Sequence, residues 1–481
     1  MFEGKFGRMF RALRPAFDPN DESLRPIFTE LGAKMCAKFD PPKDGQDDEE
    51  SGIPALYTYL GQFIDHDITF DPASSLQKAN DPDALVDFRT PAFDLDNVYG
   101  RGPDDQPYMY QAPNGMLFQL GNQKLSGGPD QAAVDLTRGE NGRALIGDPR
   151  NDENTIVSQL QGLFQRFHNR FVQRNPDLSF GDVQQEVRFH YQFMVLNDFL
   201  PRIVHSDVLN ALRTNGQFDQ GKLRYYKPKK SPFLPVEFSV AAYRLGHSMI
   251  RPGYRLNDAV LLPIFPVPSE GFPEGLTGFR PMIPVWGIDW GRFIDIDTRD
   301  YDGTDEVKAK RLQFAYRIDT SLVKILETLP PQVADHPPSL PARNLLRAWK
   351  LGLPSGQDVA RAMNVPHLAD EEILIGPEPD SGPHPTIANI AGGKFKGKCP
   401  LWTYILAEAM RNEQDVKIPV TEDKSIATPR LGPVGGRIVA EVFLGLMFGD
   451  PHSMLRLQPD WCPQQGPDYK LKDFVQFALG S

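Results

Sequence analysis

Within seven residues, Gly61-Gln62-Phe63-Ile64-Asp65-His66-Asp67 carries an amide, two carboxylates and an imidazole. Gln62 and His66 stand four apart, and Gln62 and Asp65 three apart, spacings that share one face of a helix. Leu56, Leu60 and Ile64 repeat every four residues and suit the buried side. Polar groups set this densely against an apolar face each need a partner. A bound cofactor and a metal would supply them. Alone, the segment reads more readily as a structural histidine satisfied by its carboxylate neighbours.

Four further segments have chemistry of the same kind. In Tyr243-Arg244-Leu245-Gly246-His247-Ser248, Arg244 and His247 are three apart and can face one ligand. The imidazole can ligate a metal, the guanidinium can meet an anionic group, and Gly246 lets a ligand approach the backbone. In Gly147-Asp148-Pro149-Arg150-Asn151-Asp152-Glu153, Arg150 and Glu153 are three apart at the start of a strong helical pattern. The helix macrodipole favours acids there, which accounts for Asp152 and Glu153 and not for Arg150. Arg343-Asn344-Leu345-Leu346-Arg347 reads by itself as a helix start with an Asn cap. In Thr90-Pro91-Ala92-Phe93-Asp94-Leu95-Asp96, oxygen-bearing side chains fall at Thr90, Asp94 and Asp96, and the Ala92 carbonyl can fill the gap. With Asp67 this makes a hard oxygen set of three carboxylates, as Ca²⁺ prefers. In isolation it is also an ordinary acidic turn.

Taken in order along the chain, the five segments resemble the animal-type haem peroxidases of the peroxidase–cyclooxygenase superfamily, in a bacterial-type member. The resemblance implies a mainly α, single large helical haem-peroxidase domain, myeloperoxidase-like, with long Pro-rich loops and little β structure. It implies haem b held by His247, with Arg244 and Arg347 near its propionates and Asn344 accepting the His247 N–H. It makes His66, Arg150 and Gln62 the catalytic set, and Asp65 and Glu153 the residues that ester-link the haem. Asn154 follows Glu153 where one branch of the family has a sulfonium-forming Met, which excludes that third link. Asp67, Thr90, the Ala92 carbonyl, Asp94 and Asp96 become the Ca²⁺ ligands. The implied reaction reduces H₂O₂ to water through an oxyferryl intermediate while oxidising small organic donors, halides or thiocyanate. His168-Asn169-Arg170 also occurs in the family, as a structural hydrogen-bonding element. The downstream animal pattern Gln-Arg-x-Arg-Asp-His is absent, with Trp349 and Lys350 in part of its place.

Two rival functions remain at this point. One is a fatty-acid dioxygenase on the same fold, whose radical Tyr would stand three residues before His247, where this chain has Arg244. The other is a non-catalytic haem-binding protein, which the presence of His66, Arg150 and His247 disfavours.

The elements that must position these residues follow from periodicity. Ile156, Leu160, Leu163, Phe164, Phe167 and Phe171 form one stripe of a helix over 154–174. A helix over 180–204 starts at Ser179, with Asp182 three residues on as a capping box. Further helices are expected over 236–250, 306–329, 345–351, 400–410 and 436–448, with loops at 367–398 and 412–430. Residues 1–50 read as an N-terminal arm and 51–481 as the haem-peroxidase domain. In the arm, Phe2, Phe6, Phe10 and Leu13 fall at helical spacing with Lys5, Arg8 and Arg11 between them, which reads as a short amphipathic arm packed on the body, with a membrane-surface helix as the alternative. Composition agrees: 481 residues, 40% hydrophobic and 24% charged, suit a large globular chain. A net charge of −11 argues against nucleic acid. No apolar stretch is long enough to span a membrane, and no secretory leader is visible. Cys36, Cys399 and Cys462 show neither zinc spacing nor a disulfide framework, which favours a reducing compartment. Compartment, oligomeric state and natural donor are not legible.

Overall fold

The computed structural model describes residues 4–38, 40, 42, 45–69, 86–87, 89–229, 231–301, 310–331, 333–334, 336–379, 382–421 and 423–480. Its centre is the Thr155–Arg174 helix. Asn154 caps it, its side chain accepting the N–H groups of Ile156 and Val157 at 3.1 and 2.9 Å. The expected stripe faces inward: Ile156, Leu160, Leu163, Phe164 and Phe167 are buried. Phe164 stacks on Phe63 of the Leu56–Ile68 helix, ring centroids 4.3 Å apart. One turn on, Phe167 stacks on Phe474 of the Leu471–Leu479 helix at the same distance. Aromatic stacking between three helices thus fixes the Leu56–Ile68 helix, which carries Gln62, Asp65, His66 and Asp67.

The Phe180–Met194 helix begins with the expected capping box, Asp182 N–H donating to Ser179 Oγ at 3.2 Å. It does not run on unbroken. A π-turn, Val195–Phe199, intervenes before the short Leu200–Ile203 helix. Pro201 lacks the N–H that would have bonded four residues back, so the ladder loosens just ahead of it. The Leu401–Ala409 and Gly435–Gly449 helices are buried nearly all round and lie in the same core. The fold is mainly helical. Sheet is confined, among the described residues, to one three-stranded and four two-stranded pieces.

Several expectations fail for identifiable reasons. The helix over 236–250 is broken into Val236–Ser239 and a 3₁₀ segment, Ala242–His247. The helix over 306–329 is not formed: residues 306–309 lie outside the described set, Phe314–Tyr316 is a strand and Lys324–Glu327 a 3₁₀ turn. Leu312, Phe314 and Tyr316 alternate, and that period of two wins because the strand pairs with Glu50–Pro54. The loop at 412–430 is a hairpin, Glu413–Lys417 against Ser425–Pro429, with Val416 opposite Ile426. The amphipathic arm is not helical. Gly4–Gly7 is a strand, and Phe2 lies outside the described residues. Phe6, Met9 and Phe10 are nonetheless buried. The buried Glu237 carboxylate accepts the N–H groups of Met9 and Phe10, both at 3.0 Å, which substitutes for helical bonds the arm does not make.

Candidate active site

His66 sits on the last turn of the Leu56–Ile68 helix and is 4% exposed. Its Nδ1 lies 2.7 Å from Asn151 Oδ1. Asn151 is held in turn, Nδ2 donating to Gln161 Oε1 at 2.9 Å. With the amide so anchored, Nδ1 carries the proton and donates it to Asn151. Nε2 is then the basic nitrogen, 3.5 Å from Glu153 Oε1. Gln62 Nε2 donates to the same Glu153 oxygen, and Gln62 Oε1 accepts from Asn154 Nδ2 at 3.1 Å. The motif at 61–67 and the motif at 147–153 therefore meet around one imidazole.

Arg150 lies in the 3₁₀ turn Pro149–Asp152 that leads into the long helix. Its Nη2 donates to the carbonyls of His66 at 3.0 Å and Thr69 at 2.5 Å, groups that the ending helix leaves without internal partners. Nε and Nη2 also engage Asp148 at 3.1 and 2.8 Å. Burial alone would raise the Asp148 carboxyl. The Arg150 hydrogen bonds and charge, with His66 and Arg89 beside them, hold it far below the usual carboxylate range. Arg150 thus fastens the end of the helix that presents His66.

His247 closes the Ala242–His247 segment. In a 3₁₀ helix residues three apart eclipse, so Arg244 and His247 share a face more closely than an α-helix would allow. The His247 ring is pushed down to about 3 by burial and by the Arg244 charge, so it is a neutral ligand rather than a cation. Its Nδ1 is 2.7 Å from the Asn344 side-chain amide, in the Leu340–Lys350 helix. The amide atom placed there is Nδ2. A half-turn of that amide presents Oδ1, which an Nδ1–H donor requires if Nε2 is to bind a metal. Arg347 follows one turn after Asn344 on the same helix. The Trp402 indole meets the His247 ring edge-on, centroids 6.5 Å apart, and donates to the Arg244 carbonyl at 3.3 Å.

The two histidine segments are joined directly. The Tyr243 hydroxyl donates to the Gly61 carbonyl at 3.1 Å, and Thr58 Oγ1 to the Met249 carbonyl at 3.4 Å. Asp65 lies close enough for its charge to raise the buried Tyr243 hydroxyl. A Cβ added to Gly246 would meet no atom within 4 Å, so the backbone beside His247 is open to a flat ligand. A neutral imidazole, that open backbone and carboxylates at 65 and 153 fit a haem. Sequence reasoning found the His, Arg and acidic residues and missed two: Asn151, which fixes the His66 tautomer, and Trp402. Asn151 stands inside the 147–153 motif, whereas nothing local marks Trp402.

At the far side of the Leu56–Ile68 helix, both carboxylate oxygens of Asp67 are buried without a hydrogen-bond partner. Burial and the Asp96 charge push Asp67 up to about 8, although the Arg89 charge draws it down. Asp94 is raised too, by burial and by Asp96 and Asp67. Leu95, at φ 58°, turns the loop through the left-handed region between Asp94 and Asp96. Asp94 Oδ1 accepts the Asp96 N–H at 3.1 Å, and the Ala92 N–H donates to the Thr90 carbonyl at 2.7 Å. The donor chemistry fits a hard cation. Among the described residues, no three His, Cys, Asp or Glu converge at ligating distance.

The family model for animal haem peroxidase matches residues 72–264. This stretch spans the acidic loop, the Arg150 motif and His247. Over that stretch the chain is similar to animal haem peroxidases. Over 313 residues the chain is 25% identical to a peroxidase-like protein of Margaritifera margaritifera, a match covering 51% of this chain and 39% of that protein. A match to the thyroid peroxidase of Canis lupus familiaris is 29% identical over 163 residues, 32% of this chain and 16% of that one. The chain thus spans well under half the length of these curated relatives. Among solved structures, peroxidase A from Dictyostelium discoideum superposes with a TM-score of 0.60 at 15% identity, over 97% of this chain and 89% of that one. The fatty acid alpha-dioxygenase of Oryza sativa gives 0.54 at 16% identity, over 97% and 78%. These likenesses show the fold. Within the same stretch, His168 bonds Tyr99 and the Met116 carbonyl at 3.0 and 2.8 Å, and Asn169 brackets the Phe118 backbone. Both are structural.

Proposed function

We propose that the protein is a haem peroxidase that reduces hydrogen peroxide to water at the expense of small organic donors, halides or thiocyanate. The observation that carries this reading is the His66–Asn151–Gln161 relay, which leaves His66 Nε2 unprotonated on the helix tied to the His247 segment. Reduction of H₂O₂ to two waters takes two electrons and two protons. Bound haem, held by His247 Nε2 and flanked by Arg244 and Arg347, would supply the iron at which the O–O bond is cleaved. His66 Nε2 takes the proton from the peroxide oxygen nearer His247 and returns it to the departing oxygen. Asn151 keeps the imidazole in the one tautomer that can do both. Arg150 holds the His66 carbonyl and brings positive charge to the same side, where charge develops as the bond breaks. Gln62 and Glu153 order the polar edge around Nε2. Asn344, a neutral acceptor for the His247 N–H, gives the imidazole less anionic character than a carboxylate would and leaves a more oxidising site.

Asp65 and Glu153 would each ester-link the cofactor, converting two acids that border a low-dielectric edge into neutral groups. Asp67, Asp94 and Asp96, with Thr90 and the Ala92 carbonyl, would hold Ca²⁺, which supplies the partner the Asp67 oxygens lack.

A fatty-acid dioxygenase is the second reading, because a fatty acid alpha-dioxygenase shares the fold. Arg244 at the position three before His247, and Tyr243 with its hydroxyl committed to Gly61, weigh against it. The test is a Soret spectrum followed by stopped-flow mixing with H₂O₂. His66→Ala should keep haem and slow the reaction with peroxide by about 10²–10⁴-fold. Unchanged peroxide reactivity in that variant, or oxygen uptake with a fatty acid and none with peroxide and phenols, overturns the proposal.

A further inference from the structure

Five arginines are buried among the described residues: Arg251, Arg292, Arg299, Arg311 and Arg430. Four of them sit on carboxylates. Arg251 and Arg311 share Glu50, and Arg292 and Arg299 share Asp289, each bringing further acidic or carbonyl partners. Arg430 is the exception. It is 5% exposed, and its Nε and Nη1 have no hydrogen-bond partner. Among the described residues no carboxylate pairs with it. Its one electrostatic neighbour of note is another cation, Arg202.

The backbone holds this arrangement in place. Arg430 N–H donates to the Asn412 carbonyl at 3.0 Å, and Leu431 N–H to the Ile203 carbonyl at 2.8 Å. The residue leaving the 413–429 hairpin is thereby laid beside the Leu200–Ile203 helix that bears Arg202. Arg202 is itself committed: Nε to Asp198 Oδ1 at 2.8 Å, and its guanidinium carbon 4.1 Å from the centre of the Tyr57 ring. Asp198 Oδ2 accepts from the Tyr57 hydroxyl at 2.5 Å and the Leu471 N–H at 2.9 Å, so this carboxylate is engaged by Arg202, Tyr57 and Leu471. Asp295, which also acts on Arg202, is 3.4 Å from Lys472. Among the described residues, Arg430 is therefore a buried positive charge without a carboxylate partner. A buried unpaired charge is among the most costly features a fold can carry. The burial and the Arg202 charge push Arg430 down to about 10, which still leaves it a cation at neutral pH.

We propose that Arg430 and Arg202 form a binding site for one small inorganic monoanion, such as chloride or bromide, remote in role from the peroxide site. A single negative charge matches the positive charge of Arg430. The unpartnered Arg430 nitrogens supply the donors, and their burial keeps the ion from bulk water.

The test uses the full-length protein and sodium chloride, with sodium gluconate holding ionic strength constant. Unfolding temperature of the wild type should rise saturably with chloride, on the order of 2–4 °C, and bromide should substitute. Arg430→Met, which removes the charge but keeps the volume, should lose the chloride response. Arg430→Lys should weaken it at least tenfold. A crystal of the unaltered protein grown with bromide should show anomalous density beside Arg430 Nε and Nη1, a readout that does not depend on any variant folding. Equal chloride responses in wild type and Arg430→Met, or a water alone beside Arg430 at high bromide, overturns the proposal.

Discussion

At the scale of single residues, the site depends on partners of its catalytic groups. Asn151 donates nothing to substrate, yet its contact at 2.7 Å decides which His66 nitrogen is basic. Asn151→Leu removes the acceptor for Nδ1–H and frees the ring to take the wrong tautomer. The expected outcome is a fall of about 10–100-fold in the rate of reaction with peroxide, with the Soret band intact. An unchanged rate would assign Asn151 to packing alone. The acids make a separate prediction. After peroxide treatment, Asp65→Val and Glu153→Gln should each leave one covalent haem link, and the double variant none, as read by denaturing electrophoresis with haem staining and by intact mass. Haem fully extracted from the treated wild type would remove the ester assignment and leave His247 ligation standing. Spacing made the groupings legible, Gln62, Asp65 and His66 on one helix face and Arg244 three residues from His247, while their roles came from the family resemblance. Trp402 was not legible, because its neighbour His247 is brought to it only by the tertiary fold.

At the scale of elements, the Leu56–Ile68 helix is fixed from both ends and from its side. Phe63 packs on Phe164, Arg150 grips the terminal carbonyls, and Asp67 looks toward the 90–96 loop. If Ca²⁺ bridges Asp67 to that loop, chelation leaves the buried Asp67 oxygens unpartnered and His66 next to them loosened. Exhaustive chelation should lower both the unfolding temperature and the peroxide reaction rate, and readdition of Ca²⁺ should restore them. Purified protein that contains no calcium and is indifferent to chelator would rule the site out. Helices with a sustained stripe or a cap were legible, as at Asn154 and Ser179, since both signals are local. The 236–250 and 306–329 helices were not. There apolar residues are dense enough to satisfy a helical period by accident, and pairing with distant backbone, such as Phe314–Tyr316 with Glu50–Pro54, settled the outcome.

At the scale of the whole molecule, the segments farthest along the chain are as central as the motifs. Glu408, on the Leu401–Ala409 helix, accepts the Val434 and Gly435 N–H groups at 3.0 and 3.1 Å and so caps the buried Gly435–Gly449 helix. Burial raises its carboxyl from 4.5 to about 7, against the opposing backbone bonds. A folded value above the unfolded one stabilises fully below about pH 4.5, and that contribution is lost as pH climbs through 7. Relative to Glu408→Gln, the wild type should lose on the order of 2–3 kcal/mol between pH 5 and 8, measured by denaturant melts across the range. Parallel slopes for the two proteins would show that Glu408 does not titrate there. The stretch beyond residue 400 drew little from sequence reading because its apolar helices have no polar face to mark a role. The Phe167–Phe474 stack gives that stretch a temporal meaning. Phe474 leaves the ribosome long after Phe167, so the helix that leads out of the Arg150 turn lacks its outer support until the Leu471–Leu479 helix has emerged. A nascent chain halted before Leu471 should therefore not retain haem, so that loading of the cofactor waits on the emergence of the Leu471–Leu479 helix.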